Sequence, residues 1–200
     1  YFQPPLSDTD FTQKTAQQIA EQHDFHRNCI APKTEAINAK DVRPQIQQRM
    51  TDSHAVIRSY ETASRALREA KQLMRDIEIR GIRATSPLEL PRIDEDRALA
   101  LTSVAFLEAL VTYIEQGGGS RGAYMILDEN GSLDVTSKQG TDLRHRPENL
   151  EKRNEILQVQ LKEGSISDFT VTPTPVRPLP QDDSWFETTW ADWNANKIFQ

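Results

Sequence analysis

The most constraining feature of the sequence is a long apolar segment that ends at three consecutive glycines. Residues 94–116, DEDRALALTSVAFLEALVTYIEQ, have the pattern of one helix, and the acids at its start suit the positive end of a helix dipole. Its apolar residues lie on more than one side, which is typical of a helix at the centre of a core. They are Leu99, Leu101, Val104, Phe106, Leu107, Leu110, Val111 and Ile114. We therefore predict a central helix that Gly117–Gly119 terminate.

Two further segments have helical periodicity. Residues 7–25 begin with Ser and Asp caps and carry one modest apolar stripe. Residues 41–78 are the strongest helical region, and the phase of their apolar positions breaks near residues 59–61. We predict two helices joined at that break, followed by a connector over residues 82–93, which contain two prolines.

The pattern becomes β-like after the glycines. The segments EILQVQL and ISDFTVTPT, joined by KEGS, both alternate apolar and polar residues, which predicts an antiparallel hairpin. A short strand, a turn and a second strand are predicted at AYMILD, ENG and SLDV. The expected fold is mainly α: an antiparallel bundle of three or four helices, then a small antiparallel β hairpin region and an aromatic tail.

We divide the chain into five parts. Residues 1–3 look like the end of an engineered protease-site tag, and residues 4–40 form an N-terminal helix and linker. Residues 41–128 form the helical bundle, residues 129–180 the β hairpin region, and residues 181–200 the aromatic tail.

The aromatic tail carries large apolar side chains in a polar, proline-led segment. Trp185, Phe186, Trp190 and Trp193 recur at roughly helical spacing. Such side chains are too apolar to remain in water, so we expect the tail to dock onto its own protein or onto a second subunit.

Charge and cysteine content limit the class of protein. The net charge is -6 and is spread along the chain, which argues against a dedicated nucleic-acid binder with its basic face. Cys29 is the only cysteine, so an intrachain disulfide is impossible and nothing signals an oxidising compartment. The chain shows neither a secretory signal pattern nor an uncharged apolar run of ~18 residues, so we expect a cytoplasmic protein without a membrane span.

The glycine-rich stretch GGGSRG suggests two structures. One is a loop that binds phosphate through its backbone N–H groups. However, the stretch follows a helix, whereas phosphate loops begin one. We therefore favour a structural turn.

Two other groups of residues are weaker candidates for a site. His23, His26 and Cys29 step by three residues and could present zinc ligands on one helix face, although a fourth ligand is lacking and polar surface is the preferred interpretation. Cys29 could be a nucleophile, but no oxyanion-hole signature accompanies it, which favours an inert thiol. Residues 142–146, DLRHR, could bind an anion, and a solvated loop is the preferred interpretation.

Four stretches resemble, in order, the C-terminal helical domain of the fumarate reductase/succinate dehydrogenase flavoprotein family, which includes L-aspartate oxidase. They are VRPQIQQRMTDSHAVIRSYETASRALREAKQL, ALALTSVAFLEALVTYIEQGGGSRGAYMILD, NEILQVQLKEGSISDFTVTP and PVRPLP. The resemblance covers residues 41–180. Residues 120–123, SRGA, are similar to the family's Ser-Arg-Gly-Ala-His, and Tyr124 replaces the histidine, which indicates a divergent branch.

The resemblance implies a role inside a larger flavoenzyme. In this family an N-terminal Rossmann-like domain binds FAD and a capping domain closes over a dicarboxylate-like substrate, which exchanges a hydride with flavin N5. This chain lacks a strand followed by G-x-G-x-x-G and a helix, so we expect it to contain no catalytic residue, to bind no FAD and to be inactive alone. Its expected partners are the FAD-binding domain of the same polypeptide, which it would brace, and a second subunit. The alternatives are a free-standing helical protein-interaction module and a small metal-binding protein.

The resemblance also suggests which residues lie at the domain interface. We expect Arg121 to tie the end of the central helix to a neighbouring backbone or acid. The interface candidates are Ser120, Arg121, Gly122, Tyr124, Trp185, Trp190 and Trp193.

Overall fold

The computed structural model describes residues 7–31, 35–136, 140, 142–176 and 184–195. This part of the chain is mainly helical, as the sequence predicts. Its α-helices are α1 (Asp8–Ile30), α2 (Ala39–His54), α3 (Tyr60–Arg80), α4 (Leu90–Glu115) and α5 (Trp185–Asn194).

Short strands connect the helices and form the second half of the fold. They are β1 (Ile37–Asn38), β2 (Ile57–Arg58), β3 (Ile82–Arg83), β4 (Met125–Leu127), β5 (Leu133–Thr136), β6 (Asp142–Arg146), β7 (Glu155–Leu161) and β8 (Phe169–Pro175). β1 pairs with β3, and a four-stranded sheet has the order β2-β4-β6-β5. β7 and β8 form the predicted antiparallel hairpin, with register from Glu155 opposite Pro175 to Leu161 opposite Phe169.

The predicted break between the second and third helices is confirmed. α2 ends at His54 and α3 begins at Tyr60, after Ser59, whose Oγ accepts a hydrogen bond from the backbone N–H of Thr62 at 3.2 Å. The residues between the helices include β2, which pairs in parallel with β4. The break therefore brings the end of α2 close to the segment that follows the glycines.

Two helix boundaries differ from the sequence prediction by four or five residues. α1 continues to Ile30, five residues beyond its predicted end, because Phe25 and Cys29 pack against the main core. α4 begins at Leu90 rather than at residue 94, because Pro91 lies in its first turn, where a missing N–H costs little.

The predicted central position of α4 is confirmed. Ile93, Val104 and Leu107 are fully buried in the main core, which also contains apolar residues of α2 and α3. The segment from Pro87 to Glu115 is long and apolar enough to cross a membrane by length and composition alone. Because α4 packs against α2, α3, β7 and β8, its position at the centre of the fold accounts for that composition.

A smaller core positions the candidate site. Leu110, Val111 and Ile114 of α4 pack with Ala63 of α3 and with Ile126 of β4. This cluster fixes the four-stranded sheet to the C-terminal half of α4, so the glycine turn lies between the helix and the sheet.

Candidate functional site

The backbone N–H groups of the glycine turn donate hydrogen bonds to carbonyl groups of the protein itself. The N–H of Gly117 donates to the Ile114 carbonyl at 3.1 Å, and the N–H of Gly118 donates to the Tyr113 carbonyl at 2.8 Å. The N–H of Ser120 donates to the Arg146 carbonyl at 3.0 Å. These donors are therefore not free to bind a phosphate, which supports the structural interpretation of GGGSRG.

Ser120 connects the turn to two strands. Its hydroxyl donates to the Arg146 carbonyl of β6 at 2.5 Å and accepts from the backbone N–H of Ile126 in β4 at 3.0 Å. His145 Nδ1 lies 3.2 Å from the same oxygen. Ser120 therefore holds the end of the turn against the sheet.

Arg121 lies beside α4 but does not bind the end of that helix. Its Nη2 donates to the Lys152 carbonyl at 2.7 Å, and its guanidinium lies over the Tyr113 ring at 5.5 Å from the ring centroid. Its Nε is buried without a hydrogen-bond partner. The expected backbone contact is present, but it joins the turn to the segment before β7.

Arg146 binds the end of α4 directly. Its Nη1 donates to the Ile114 and Gly118 carbonyls at 2.9 and 3.1 Å. Its Nε and Nη2 donate to Asp128 Oδ2 at 3.0 and 2.8 Å, and this ion pair lowers the pKa of Asp128. The interpretation of residues 142–146 as a solvated loop was therefore wrong, because they form β6 and Arg146 is partly buried.

Gly122 and Tyr124 complete the tight turn that starts at Arg121. The backbone N–H groups of Arg121 and Tyr124 each donate to the other residue's carbonyl at 2.9 Å. A methyl group at Gly122 would meet no atom within 4 Å, so this glycine faces open space.

Tyr124 lies among aromatic and cationic groups. The Arg58 guanidinium is 4.1 Å from its ring centroid, and the Tyr113 ring meets it edge-on at 6.2 Å. Burial, followed by the adjacent Tyr113 phenol, raises the pKa of Tyr124 to about 12. The Tyr124 phenol therefore stays neutral at physiological pH.

The raised pKa predicts a loss of stability at alkaline pH. An unfolded tyrosine has a pKa of about 10. Below that pH the Tyr124 phenol is neutral in both states, and its contribution to the stability of the fold is fully present. This contribution should be lost as the pH rises from about 10 to about 12. Alkaline absorbance titration should show a tyrosine that ionises near pH 12 and that disappears in Tyr124→Phe. If Tyr124→Phe instead removes a tyrosine that ionises near pH 10, the raised pKa does not belong to Tyr124.

His54 and Arg58 lie at the same site, although the sequence patterns did not indicate them as site residues. His54 packs against Phe106 at a ring distance of 5.6 Å, and burial and then the Arg58 charge lower its pKa. His54 is the last residue of α2, and Arg58 lies in β2, which pairs with β4 next to the turn. The sequence signal for them was the apolar-basic pattern HAVIR, which begins at the last residue of α2.

His23, His26 and Cys29 do not converge. His23 is exposed, Cys29 is fully buried in the core, and His26 Nε2 lies 2.8 Å from Asp94 Oδ2. Among the described residues, no cluster of His, Cys, Asp and Glu has the arrangement of a metal site.

The environment of Cys29 predicts an unreactive thiol. Its side chain has no exposed surface, and burial raises its pKa. We therefore expect slow reaction with a thiol reagent such as dithionitrobenzoate in buffer and complete reaction in denaturant. Because Cys29 is the only cysteine, the released chromophore reports on it alone. Rapid stoichiometric labelling of the folded chain would refute this.

The tail forms a helix, as its aromatic spacing indicates. In α5, Trp190 and Trp193 are 59% and 55% exposed. The Trp185 side chain and residues 196–200 lie outside the described part of the chain, as do residues 177–183. The docking of this tail stays a prediction.

Comparison with known proteins finds similarity only at the level of the fold. No protein-family model and no curated protein matches the chain. Solved structures do match, and they are flavoprotein chains of succinate dehydrogenase and fumarate reductase.

The matches cover nearly all of this chain. The Mycobacterium smegmatis Sdh1 complex in the apo form matches 94% of it with 18% identity and a TM-score of 0.58. Sdh1 in complex with UQ1 matches 96% with 17% identity and a TM-score of 0.60. A single-site variant of FrdA, the E. coli quinol fumarate reductase, matches 90% with 11% identity and a TM-score of 0.62. The likeness is one of fold.

The chain spans only 27–29% of the length of these structures. It therefore has the fold of one part of a larger flavoprotein chain. Because one fold can serve several functions, the activity of the whole proteins does not transfer with it.

Proposed function

We propose that this chain is the C-terminal helical domain of an FAD-dependent oxidoreductase related to the succinate dehydrogenase and fumarate reductase flavoproteins, and that it braces the flavin-binding domain. One observation carries the proposal: the fold likeness extends over 90–96% of this chain but over less than a third of each neighbour. The order of the four sequence stretches that resemble the family supports it independently.

The surface around the SRGA turn supports a bracing role. Phe106 and Ile156 are 53% and 51% exposed, and they border the same cleft as Arg121 and Tyr124. We call these four residues and Tyr113 the motif face. Grouped apolar side chains beside fixed polar groups are typical of a surface that another domain covers.

The glycine turn does not fit the diphosphate of FAD. The N–H groups of Gly117, Gly118 and Ser120 donate within the protein, and Tyr113 fills the space next to Gly118. A diphosphate would have to displace these contacts. In the proposed enzyme the flavin and the hydride transfer therefore belong to the rest of the polypeptide, and this chain holds the end of α4 and the motif face in place.

A second candidate function is a free-standing helical interaction module. The exposed rings of Trp190 and Trp193 favour it, because exposed tryptophans often anchor a protein interface. In the proposed enzyme the same rings would contact the flavin domain or a second subunit.

The native reading frame distinguishes these two functions. We expect the frame upstream of the Pro4 codon to continue and to encode a strand, G-x-G-x-x-G and a helix. A start codon within a few residues of Pro4 would contradict the flavoenzyme proposal and favour the interaction module.

A further inference from the structure

A cleft of about 270 Å³ opens at the motif face. Its walls come from the end of α2, β2, the C-terminal half of α4, the turn after the glycines and β7. The side chains that give it chemical character are His54, Arg58, Arg121, Tyr113 and Tyr124.

Two buried nitrogen atoms at this cleft lack hydrogen-bond partners. Arg121 Nε and His54 Nδ1 are buried, and neither has a partner. Within the described part of the chain, the only hydrogen bond from Arg58 joins its Nε to the Ala55 carbonyl at 2.8 Å. A buried arginine N–H without a partner is rare in folded proteins, so Arg121 Nε points to an acceptor supplied from outside.

The cleft has a positive charge in an acidic chain. No acid among the described residues pairs with Arg58 or Arg121. Glu155 also borders the cleft, but its Oε2 lies 3.0 Å from Lys152 Nζ, so its charge is already paired. Burial lowers the pKa of Arg58, which shows that its desolvation is not offset by a neighbouring carboxylate.

Aromatic rings hold both guanidinium groups. Arg58 lies over Tyr124 at 4.1 Å, and Arg121 lies over Tyr113 at 5.5 Å. The N–H groups of Arg58 and Arg121 that do not donate to Ala55 and Lys152 can donate to the two oxygens of a planar acceptor. Phe106 adds an apolar wall next to His54.

We propose that this cleft binds a carboxylate, with Arg58 and Arg121 as its ligands. The proposal concerns residues of this chain only and does not depend on the proposed function. The carboxylate can come from a free small molecule or from an acidic side chain of the polypeptide that covers the motif face.

The test titrates the 200-residue chain with benzoate and, in parallel, with benzamide, its uncharged isostere. Arginine Nε–Hε resonances in heteronuclear NMR spectra report binding. We expect saturable shifts of the Arg58 and Arg121 signals with benzoate and none with benzamide.

Arg58→Gln should weaken benzoate binding about tenfold or more, as expected for the loss of a charge-assisted hydrogen bond. The exposed Arg153→Gln is the matched control and should leave the affinity unchanged.

The comparison of benzoate with benzamide needs no variant, so a folding defect in Arg58→Gln cannot obscure the result. Absence of saturable benzoate binding, or equal binding of benzamide, would overturn the proposal. Repeating the titration on the native full-length polypeptide identifies the source of the carboxylate. Retained binding indicates a free molecule, and binding lost only in the full-length protein indicates an internal acid.

Discussion

Replacing Arg146 by alanine should lower the free energy of unfolding by about 3 kcal/mol. The guanidinium makes two hydrogen bonds to Asp128 and two to the carbonyls of Ile114 and Gly118. The variant leaves a partly buried carboxylate and the end of α4 without donors. Most of a loss of this size comes from leaving the carboxylate and the carbonyl groups without donors, rather than from losing the attraction of the ion pair itself. For a chain of this length, the melting temperature should fall by about 6–12 °C.

Arg153→Ala is the matched control for this prediction. Arg153 is 67% exposed, and its Nε lies 3.7 Å from Glu148. Exposed ion pairs of this kind contribute about 0–1 kcal/mol. Equal unfolding free energies of the two variants would show that Arg146 does not hold the helix end.

Replacing Gly119 by alanine should also destabilise the fold strongly. A methyl group at this position would lie 1.8 Å from the Pro147 carbonyl oxygen and 2.9 Å from the Asn149 backbone nitrogen. Both obstacles are backbone atoms, so the loop from β6 to β7 must move away from the turn. We expect the free energy of unfolding to fall by about 3 kcal/mol, the upper end of the usual range for overpacking. Denaturant unfolding measures this loss.

Gly122→Ala tests the same substitution within the same motif. A methyl group there meets nothing within 4 Å, and the stability should change by less than about 0.5 kcal/mol. If both alanine variants unfold at the same denaturant concentration, close packing is not the reason for a glycine at position 119.

Local patterns in the sequence were enough to predict most of the fold. The apolar positions of α4 on several sides predicted its central location, and alternation predicted the β7–β8 hairpin. The phase break in residues 41–78 predicted the joint between α2 and α3. Each of these signals lies within one segment, so it can be detected without knowing which segments contact each other.

The candidate site depends on contacts that local patterns do not contain. Arg146 reaches Ile114 over 32 positions, and only the pairing of β6 with β4 brings them together. The segment DLRHR has no apolar alternation, which is why it resembled a solvated loop. Arg58 reaches Tyr124 through the two-residue pairing of β2 with β4, which is too short to predict from composition.

The motif residues illustrate the same limit. Ser120 and Arg121 were selected through the resemblance to a family, and the structure places both in the joint between α4 and the sheet. Their partners are backbone carbonyls of Arg146 and Lys152, which carry no side-chain signature in the sequence. Which arginine binds the end of α4 was therefore decided by the fold rather than by the motif.

Isolation of the native polypeptide with an antibody against this chain tests the central claim most directly. Its mass and its flavin content, measured by absorbance and by release of the cofactor, are the two readouts. Our account predicts a polypeptide of which this chain forms about 28% and which carries one FAD per chain. A flavin-free polypeptide of the size of this chain would contradict it.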